Sequence, residues 1–278
     1  MIIDNQKHMK FFEGCTALVT GASAGLGEEF ARQLAPYARN LILVARREDR
    51  LMELQQDLTT CFKNLTVHIY RADLSQESER IDLAEWLEKE QPAIDFLVNN
   101  AGLGDHGPFA TADYDRLRNM LDLNITALTH LTHLLLPSML REGRAAVLNV
   151  SSVAGFFPLP NMAVYAATKS YVTSLSEALR MELRPKGISV TALCPGPVPT
   201  EFFQVATRPG SEDEAAHFQT MPALASTPQE VVYAGLRAVA ADRARVIPNP
   251  LLCLAVGAAL LIPFCVVRKI LTLAAPKL

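Results

Sequence analysis

From residue 16 to residue 194 the chain alternates short apolar runs with longer helix-like stretches, and that alternation leaves few folds open. The apolar runs fall at 16–20, 40–45, 66–72, 94–99, 145–151 and 188–194, and helix-like stretches begin near Leu26, Asp49, Gln76, Ala112 and Ala163. Strands separated by whole helices build a parallel sheet with helices on both faces. The sequence therefore predicts a doubly wound α/β domain over residues 1–249. In such a sheet, ligands bind beyond the carboxyl ends of the strands.

Those strand ends carry the polar and glycine residues. The first apolar run, Ala17-Leu18-Val19, leads into Thr20-Gly21-Ala22-Ser23-Ala24-Gly25-Leu26-Gly27 and then the helical pattern Glu28-Glu29-Phe30-Ala31-Arg32-Gln33-Leu34. Strand, glycine turn and helix in this order suit a dinucleotide: amides at the helix start face the pyrophosphate and the glycines let the backbone come close. A glycine turn alone is often a plain strand–helix connection. Here Asp73-Leu74, Asn99-Asn100-Ala101-Gly102, Asn124, Ser151-Ser152 and Pro195-Gly196-Pro197-Val198-Pro199-Thr200 follow in order. Tyr165 and Lys169 stand four apart on a helix-like stretch and so share one face. A cation beside a phenol favours phenolate and lowers its pKa from the usual ~10, which makes a usable proton donor and acceptor.

In this order and spacing the motifs resemble the short-chain dehydrogenase/reductase family in its compact single-domain form, over about residues 12–200. The resemblance implies a Rossmann-type fold and a catalytic set of Asn124, Ser152, Tyr165 and Lys169. Tyr165 would be the general acid or base and Lys169 would tune it and bind the nicotinamide ribose. Ser152 would donate to the carbonyl oxygen, and Asn124 would hold a water that links Lys169 to solvent. Cofactor contacts would come from Gly21, Ser23, Gly25, Leu26 and Gly27 at the phosphates, and from Asp73 and Leu74 by the adenine. Asn100, Ala101 and Gly102 would lie by the adenine-side ribose and its surroundings, with Val198 and Thr200 by the carboxamide. The second strand ends in Arg46-Arg47, with no carboxylate for a ribose 2′-hydroxyl. A guanidinium there suits a 2′-phosphate, Arg46 ahead of Arg47, and NADP over NAD.

The substrate is less legible. Ala154-Gly155-Phe156-Phe157-Pro158-Leu159-Pro160 is apolar, and Phe202, Phe203 and Phe218 sit in a stretch that similar proteins use as a mobile lid, about residues 200–222. Both hint at a small lipophilic ketone, aldehyde or alcohol. The alternative to an NADP(H)-dependent oxidoreductase is a non-catalytic NADP-binding redox sensor or scaffold, which has no need of an intact catalytic set. A net charge of −3 and a pI near 6.1 give no reason to expect nucleic acid. The cysteines Cys15, Cys61, Cys194, Cys253 and Cys265 show no metal or disulfide spacing, and each reads as a small buried hydrophobe in a reducing compartment. His106, in the loop after Asn99–Gly102, reads as a solvated loop histidine ahead of the alternative, a residue bordering the active site. The first residues lack the apolar core of a signal peptide, so a cytoplasmic domain is expected.

Beyond residue 222, Thr227-Pro228-Gln229-Glu230 reads as a capped helix start and Arg245-Val246-Ile247-Pro248 as a short last strand. Then 22 consecutive uncharged residues separate Arg245 from Arg268. A helix over 251–262 would be apolar on every side and must be buried in protein, in a partner or in lipid. At roughly 18 Å it is too short to cross a bilayer. The tail, residues 250–278, is therefore expected to drive homo-oligomerisation or peripheral membrane contact, with Arg268 and Lys269 at the polar boundary.

Overall fold

Strands buried on both faces need mostly apolar side chains, and this chain supplies them in its central strands. In a computed structural model, which describes residues 8–142, 145–208 and 224–274, β1 (Thr16–Thr20) and β2 (Asn40–Ala45) are buried throughout. The sheet continues with β3 (Thr66–Arg71), β4 (Phe96–Asn99), β5 (Ala145–Val150), β6 (Ile188–Leu193) and β7 (Arg245–Val246). Its order is β3-β2-β1-β4-β5-β6-β7, and every pairing is parallel. Direction reverses between β1 and β4, so a crevice opens at their carboxyl ends.

The helices lie on both faces. They are α1 (Gly25–Leu34), α2 (Glu48–Cys61), α3 (Glu77–Glu90), α4 (Tyr114–Leu121), α5 (Leu128–Glu142) and α6 (Ala163–Leu183). After them come α7 (Glu201–Ala206), α8 (Pro228–Ala240), α9 (Pro250–Leu261) and α10 (Phe264–Ala274). The period-2 pleat of β2 divides the core. Leu41 and Leu43 face Phe30, Leu34, Leu51 and Leu236 on one side, while Ile42 and Val44 face Leu83, Leu131 and Leu135 on the other. Each such side chain, fully buried, contributes about 1.5–3 kcal/mol.

Local chemistry sets the boundaries. Asp113 caps α4 by accepting from Asp115 N, which moves the start from the expected Ala112 to Tyr114. Thr227 and Glu230 form a complete capping box on α8, with Pro228 at the first turn. The tail is two short helices, α9 capped by Asn249 and α10 after Pro263, bent by 118° at the break. Among the described residues no single helix is long and apolar enough to cross a membrane. Cys15 and Cys194 are buried as expected, but Cys61, Cys253 and Cys265 are exposed. Cys61 ends α2 away from the sheet, and the other two lie on tail helices that touch the domain along one narrow stripe.

Candidate active site at the carboxyl ends of the strands

β1 runs into a turn that glycine makes possible. Gly21 and Gly25 have φ of +66° and +56°, values that side chains disfavour. Gly27 lies so close to this turn that a Cβ would stand 2.1 Å from the Gly21 carbonyl oxygen. Thr20 and Asn100 hold the turn from the β4 side. The amides of Asn100 and Ala101 each donate to Thr20 Oγ1 at 3.0 Å, and Asn100 Nδ2 donates to Thr20 O at 2.9 Å and Gly21 O at 3.3 Å. The Asn100 amide is thus engaged in bracing the glycine turn. Ala24 offers no side chain to cap α1, which leaves the first amides of that helix free of a side-chain partner beside Ser23, Gly25 and Leu26. An uncapped helix start behind a glycine cradle fits a pyrophosphate.

The ends of β2 and β3 flank this turn. Arg46 is 58% exposed and lies 3.8 Å from the Asp73 carboxylate. Arg47 is tied down: it donates to Ser23 Oγ at 3.3 Å and Ser23 O at 3.2 Å, and pairs with Glu201 at 3.0 Å. Asp73 accepts from Ser75 N at 3.0 Å and Ser75 Oγ at 2.8 Å, and Leu74 is buried beside it. Buried Arg80 fixes this loop by donating to Leu74 O at 2.7 Å and to His130 Nδ1 at 3.1 Å. No sequence motif marks Arg80, and Thr20 opens the glycine motif with no role read for its side chain; both roles follow from partners on other elements.

At β5 and α6 the four polar residues singled out in the sequence come together. Tyr165 and Lys169 are buried one turn apart on α6. Lys169 Nζ donates to Val150 O at 2.8 Å and lies 5.7 Å from the Tyr165 ring centroid. Ser152 hydrogen-bonds the Tyr165 phenol, and its Oγ also lies 3.4 Å from Pro195 O. Asn124 sits on a π-helical turn, Asp122–Ala127, between α4 and α5. It accepts from Leu103 N at 2.8 Å and donates to Leu103 O at 2.8 Å and Thr168 Oγ1 at 3.0 Å. A Cβ on Gly102 would stand 3.1 Å from Asn124 Oδ1 and 3.6 Å from Lys169 Nζ, so the bare glycine lets both groups pack close over the backbone there. Val198 is buried nearby, and Thr200 lies against Gly25. Behind the site, Asn99 donates to Asn149 at 2.8 Å and Asn149 to Ser176 at 2.9 Å. This buried amide row ties β4, β5 and α6 together; its traces in the sequence are Asn99 in the Asn99–Gly102 motif and a polar Asn149 inside an apolar run.

The electrostatics differ from the expectation. Burial pushes the Tyr165 phenol up to about 12, against a smaller downward pull from the Ser152 hydrogen bond. Burial pulls Lys169 down to about 8, opposed by Cys194. Proximity to a lysine does not lower the tyrosine pKa here, because desolvation disfavours charge on both groups and the ammonium is directed at the Val150 carbonyl.

On the open side, α7 lays Phe202 with its ring centroid 5.7 Å from that of Tyr165. A clasp of two half-buried arginines on buried Asp105 holds α7 there. Asp105, in the loop after β4, accepts from Arg208 Nε at 2.9 Å and pairs with Arg116 Nε at 2.8 Å. Arg116 donates in turn to Ala206 O at 3.0 Å. His106 is buried, and its amide donates to Ala206 O at 2.9 Å. The solvated histidine expected from sequence is wrong, because residues 206–207 pair along this loop. The remainder of the expected lid, 209–222 with Phe218, lies outside the described residues.

Comparison with known proteins adds to this geometry. A family model described as short chain dehydrogenase matches residues 15–209. Sulfoacetaldehyde reductase 2 of Chromohalobacter salexigens is 35% identical over 219 residues, 78% of this chain and 86% of that protein. A short-chain dehydrogenase from Sphingobium yanoikuyae, solved with NADPH, superposes with a TM-score of 0.76 at 31% identity, covering 95% of this chain and 97% of that one. A short-chain dehydrogenase/reductase from Burkholderia phymatum, solved with NAD, gives 0.79 at 25% identity, covering 88% and 92%.

Proposed function

Since the chain belongs to the short-chain dehydrogenase/reductase family, and is a dehydrogenase/reductase enzyme with the Rossmann-type fold, we propose that it is an NADP(H)-dependent oxidoreductase acting on lipophilic ketones, aldehydes or secondary alcohols. The observation that carries this reading is the convergence of Ser152, Tyr165, Lys169 and Asn124 at the mouth between β4 and β5. A nicotinamide cofactor, which the glycine turn and Asp73, Leu74, Asn100, Ala101, Gly102, Val198 and Thr200 would hold, would supply or accept hydride when bound. Tyr165 keeps its proton across the physiological range because burial raises it to about 12. It therefore serves as the acid that protonates a substrate carbonyl oxygen, and Ser152 donates a second hydrogen bond that orients that oxygen. Lys169, pulled down to about 8, holds an exchangeable proton near neutrality. Asn124, whose Oδ1 lies across Gly102 from the ammonium, lines the same buried pocket as that proton.

The NADP preference rests on Arg46, which is exposed beyond β2 and free of the ties that hold Arg47. A lipophilic substrate is supported by Phe202 over Tyr165 and by the half-buried Phe156 and Phe157 in the loop after Ser152. We treat residues 1–249 as the catalytic domain and 250–278 as an appendage, whose contact with a second copy or a membrane belongs to the same proposal. Consumption of NADPH against a graded series of carbonyls, from short ketones to long-chain aldehydes, tests the reading. Turnover of the longer members is expected. No turnover of any member, with NADPH bound, would refute it.

A further inference from the structure

The tail helices meet the domain along a strip too narrow to satisfy them. On α9, Leu252, Val256 and Ala259 point inward at helical spacing, and of these Val256 is fully buried. The other positions run around roughly two thirds of the helix, all apolar or glycine and nearly all exposed, with Leu254 71% and Leu261 87% accessible. On α10, Val267 and Leu271 turn inward. Val266, Ile270 and Leu273 form an outward apolar stripe, while Arg268, Lys269 and Thr272 lie off that stripe. Arg268 covers the ring of Phe264 at 5.1 Å.

This pattern selects the occupant. A second protein copy covers one stripe of a helix, whereas the exposed apolar surface here wraps most of α9 and continues across the 118° bend onto α10. A lipid leaflet covers all of it at once. The first charges after residue 245 are Arg268 and Lys269, on the second helix, where they can reach anionic headgroups while the stripe beside them enters the acyl region. The anchor also touches the site. Leu252 packs on Gly196, where an added Cβ would stand 2.3 Å from Leu252 Cδ2. Pro195, the neighbouring residue, accepts from Val153 N at 2.9 Å and from Ser152 Oγ at 3.4 Å.

We propose that α9 and α10 insert into one leaflet of a membrane containing anionic lipid and seat the mouth of the active site against it, so that the carbonyl substrate is taken from the bilayer. The second half rests on the reductase reading above; the first does not.

The test uses the full-length protein and the variant L254E/L261E/L273E, whose three positions are exposed enough to spare the fold. Flotation with phosphatidylcholine vesicles, with and without phosphatidylglycerol, should lift the wild type, and more strongly with the anionic lipid. The triple variant should fall at least tenfold in bound fraction while titrating NADPH like the wild type. Replacing both cations, R268Q/K269Q, should weaken binding to the anionic vesicles by roughly fivefold per charge. A wild type that stays unbound with both compositions overturns the anchor. So does a discrete dimer in light scattering that the triple variant dissociates, with no flotation of either protein. For the delivery step, a long-chain aldehyde dissolved in vesicles is compared with a short soluble one. The triple variant should lose at least tenfold in rate on the first and keep its rate on the second. An unchanged rate on the vesicle substrate overturns delivery. If the wild type floats but reduces neither aldehyde, the reductase reading fails and the anchor stands.

Discussion

The glycine turn after β1 and the glycine in α9 show how differently the two ends of this molecule are determined. At Gly27 an added Cβ would collide with backbone at 2.1 Å, whereas at Gly257 it would meet nothing within 4 Å. The same holds for apolar residues: every position of β1 is buried, while α9, apolar from end to end, buries Val256 alone. Around the turn, hydrogen bonds from Asn100 to Thr20 fix the partner of each group within the chain. In the tail the residue types state only that a cover is required. An apolar run in a sequence is a demand for burial, and its own chain meets that demand only where other elements close over it.

The largest expected effect falls on the determined end. Tyr165→Phe keeps the ring packed against Phe202 and removes the proton, so turnover should drop by ~10²–10⁴-fold with NADPH binding nearly unchanged. Steady-state kinetics and a fluorescence titration separate the two. Retention of most of the wild-type rate would mean that Tyr165 is not the acid, and that the closely determined end of the molecule is not its working part.

The next concerns Lys169. Below pH 8 the buried lysine is protonated in both the folded and unfolded chains, and folding bears the whole cost of burying that charge. Between about 8 and its ordinary 10.5 the unfolded chain holds the proton and the folded chain does not, so stability rises with pH across this window. The gain is at most about 3 kcal/mol. Tyr165 acts in the opposite sense: its phenol is raised from 10 to about 12, so stability falls as pH climbs through that range. Lys169→Met should therefore be more stable than wild type near pH 7.5, with the difference shrinking toward pH 9.5. Thermal melts at several pH values measure it. Parallel curves would show that Lys169 is not desolvated as the fold implies.

Much of the site was legible because glycine, arginine and paired tyrosine–lysine report needs that are local: close approach, charge, one helical turn. The strand ends and the glycine turn follow from such signals, while the meeting of Ser152 with Tyr165 follows from the family resemblance. The rest depended on partners far away in the chain. Asn149 looks like a flaw in an apolar strand until Asn99 and Ser176 flank it, 50 and 27 residues distant. His106 looks solvated until residues 206–207 pair beside it. The spacing of Tyr165 and Lys169 gives their proximity but not the burial that sets the direction of both pKa shifts.

A smaller effect separates the two arginines, which the sequence ranks but cannot tell apart physically. Arg47 is already bound to Ser23 and Glu201, so its guanidinium is occupied, while among the described residues Arg46 has only the 3.8 Å approach to Asp73. Arg46→Ala should weaken NADPH by ~1.5–3 kcal/mol and leave NADH nearly unaffected. Arg47→Ala should weaken both cofactors by a lesser and similar amount, since it loosens Ser23 at the pyrophosphate turn. Paired titrations decide it. A selective loss of NADPH in Arg47→Ala alone would reverse the assignment, and no selective loss in either would point to NAD.

The smallest effect returns to the tail. Glycine inside a helix costs about 0.5–1 kcal/mol relative to alanine, and Gly257 has empty space where the methyl would go. Gly257→Ala should accordingly raise the melting temperature by about 1–3 °C in the absence of lipid. The same substitution sharpens the question of what covers α9. Lipid chains are fluid and accept one more methyl without penalty, so vesicle binding should be unchanged or slightly stronger. A second protein copy packed against the helix at Gly257 would have to move aside, at a cost of typically 1–3 kcal/mol for an overfilled contact. A variant more stable alone, equally bound to vesicles and unchanged in size by light scattering fits a cover of lipid. One that loses a self-associated form places a protein surface there instead, and the tail would then be as closely determined as the glycine turn, only by a partner rather than by its own chain.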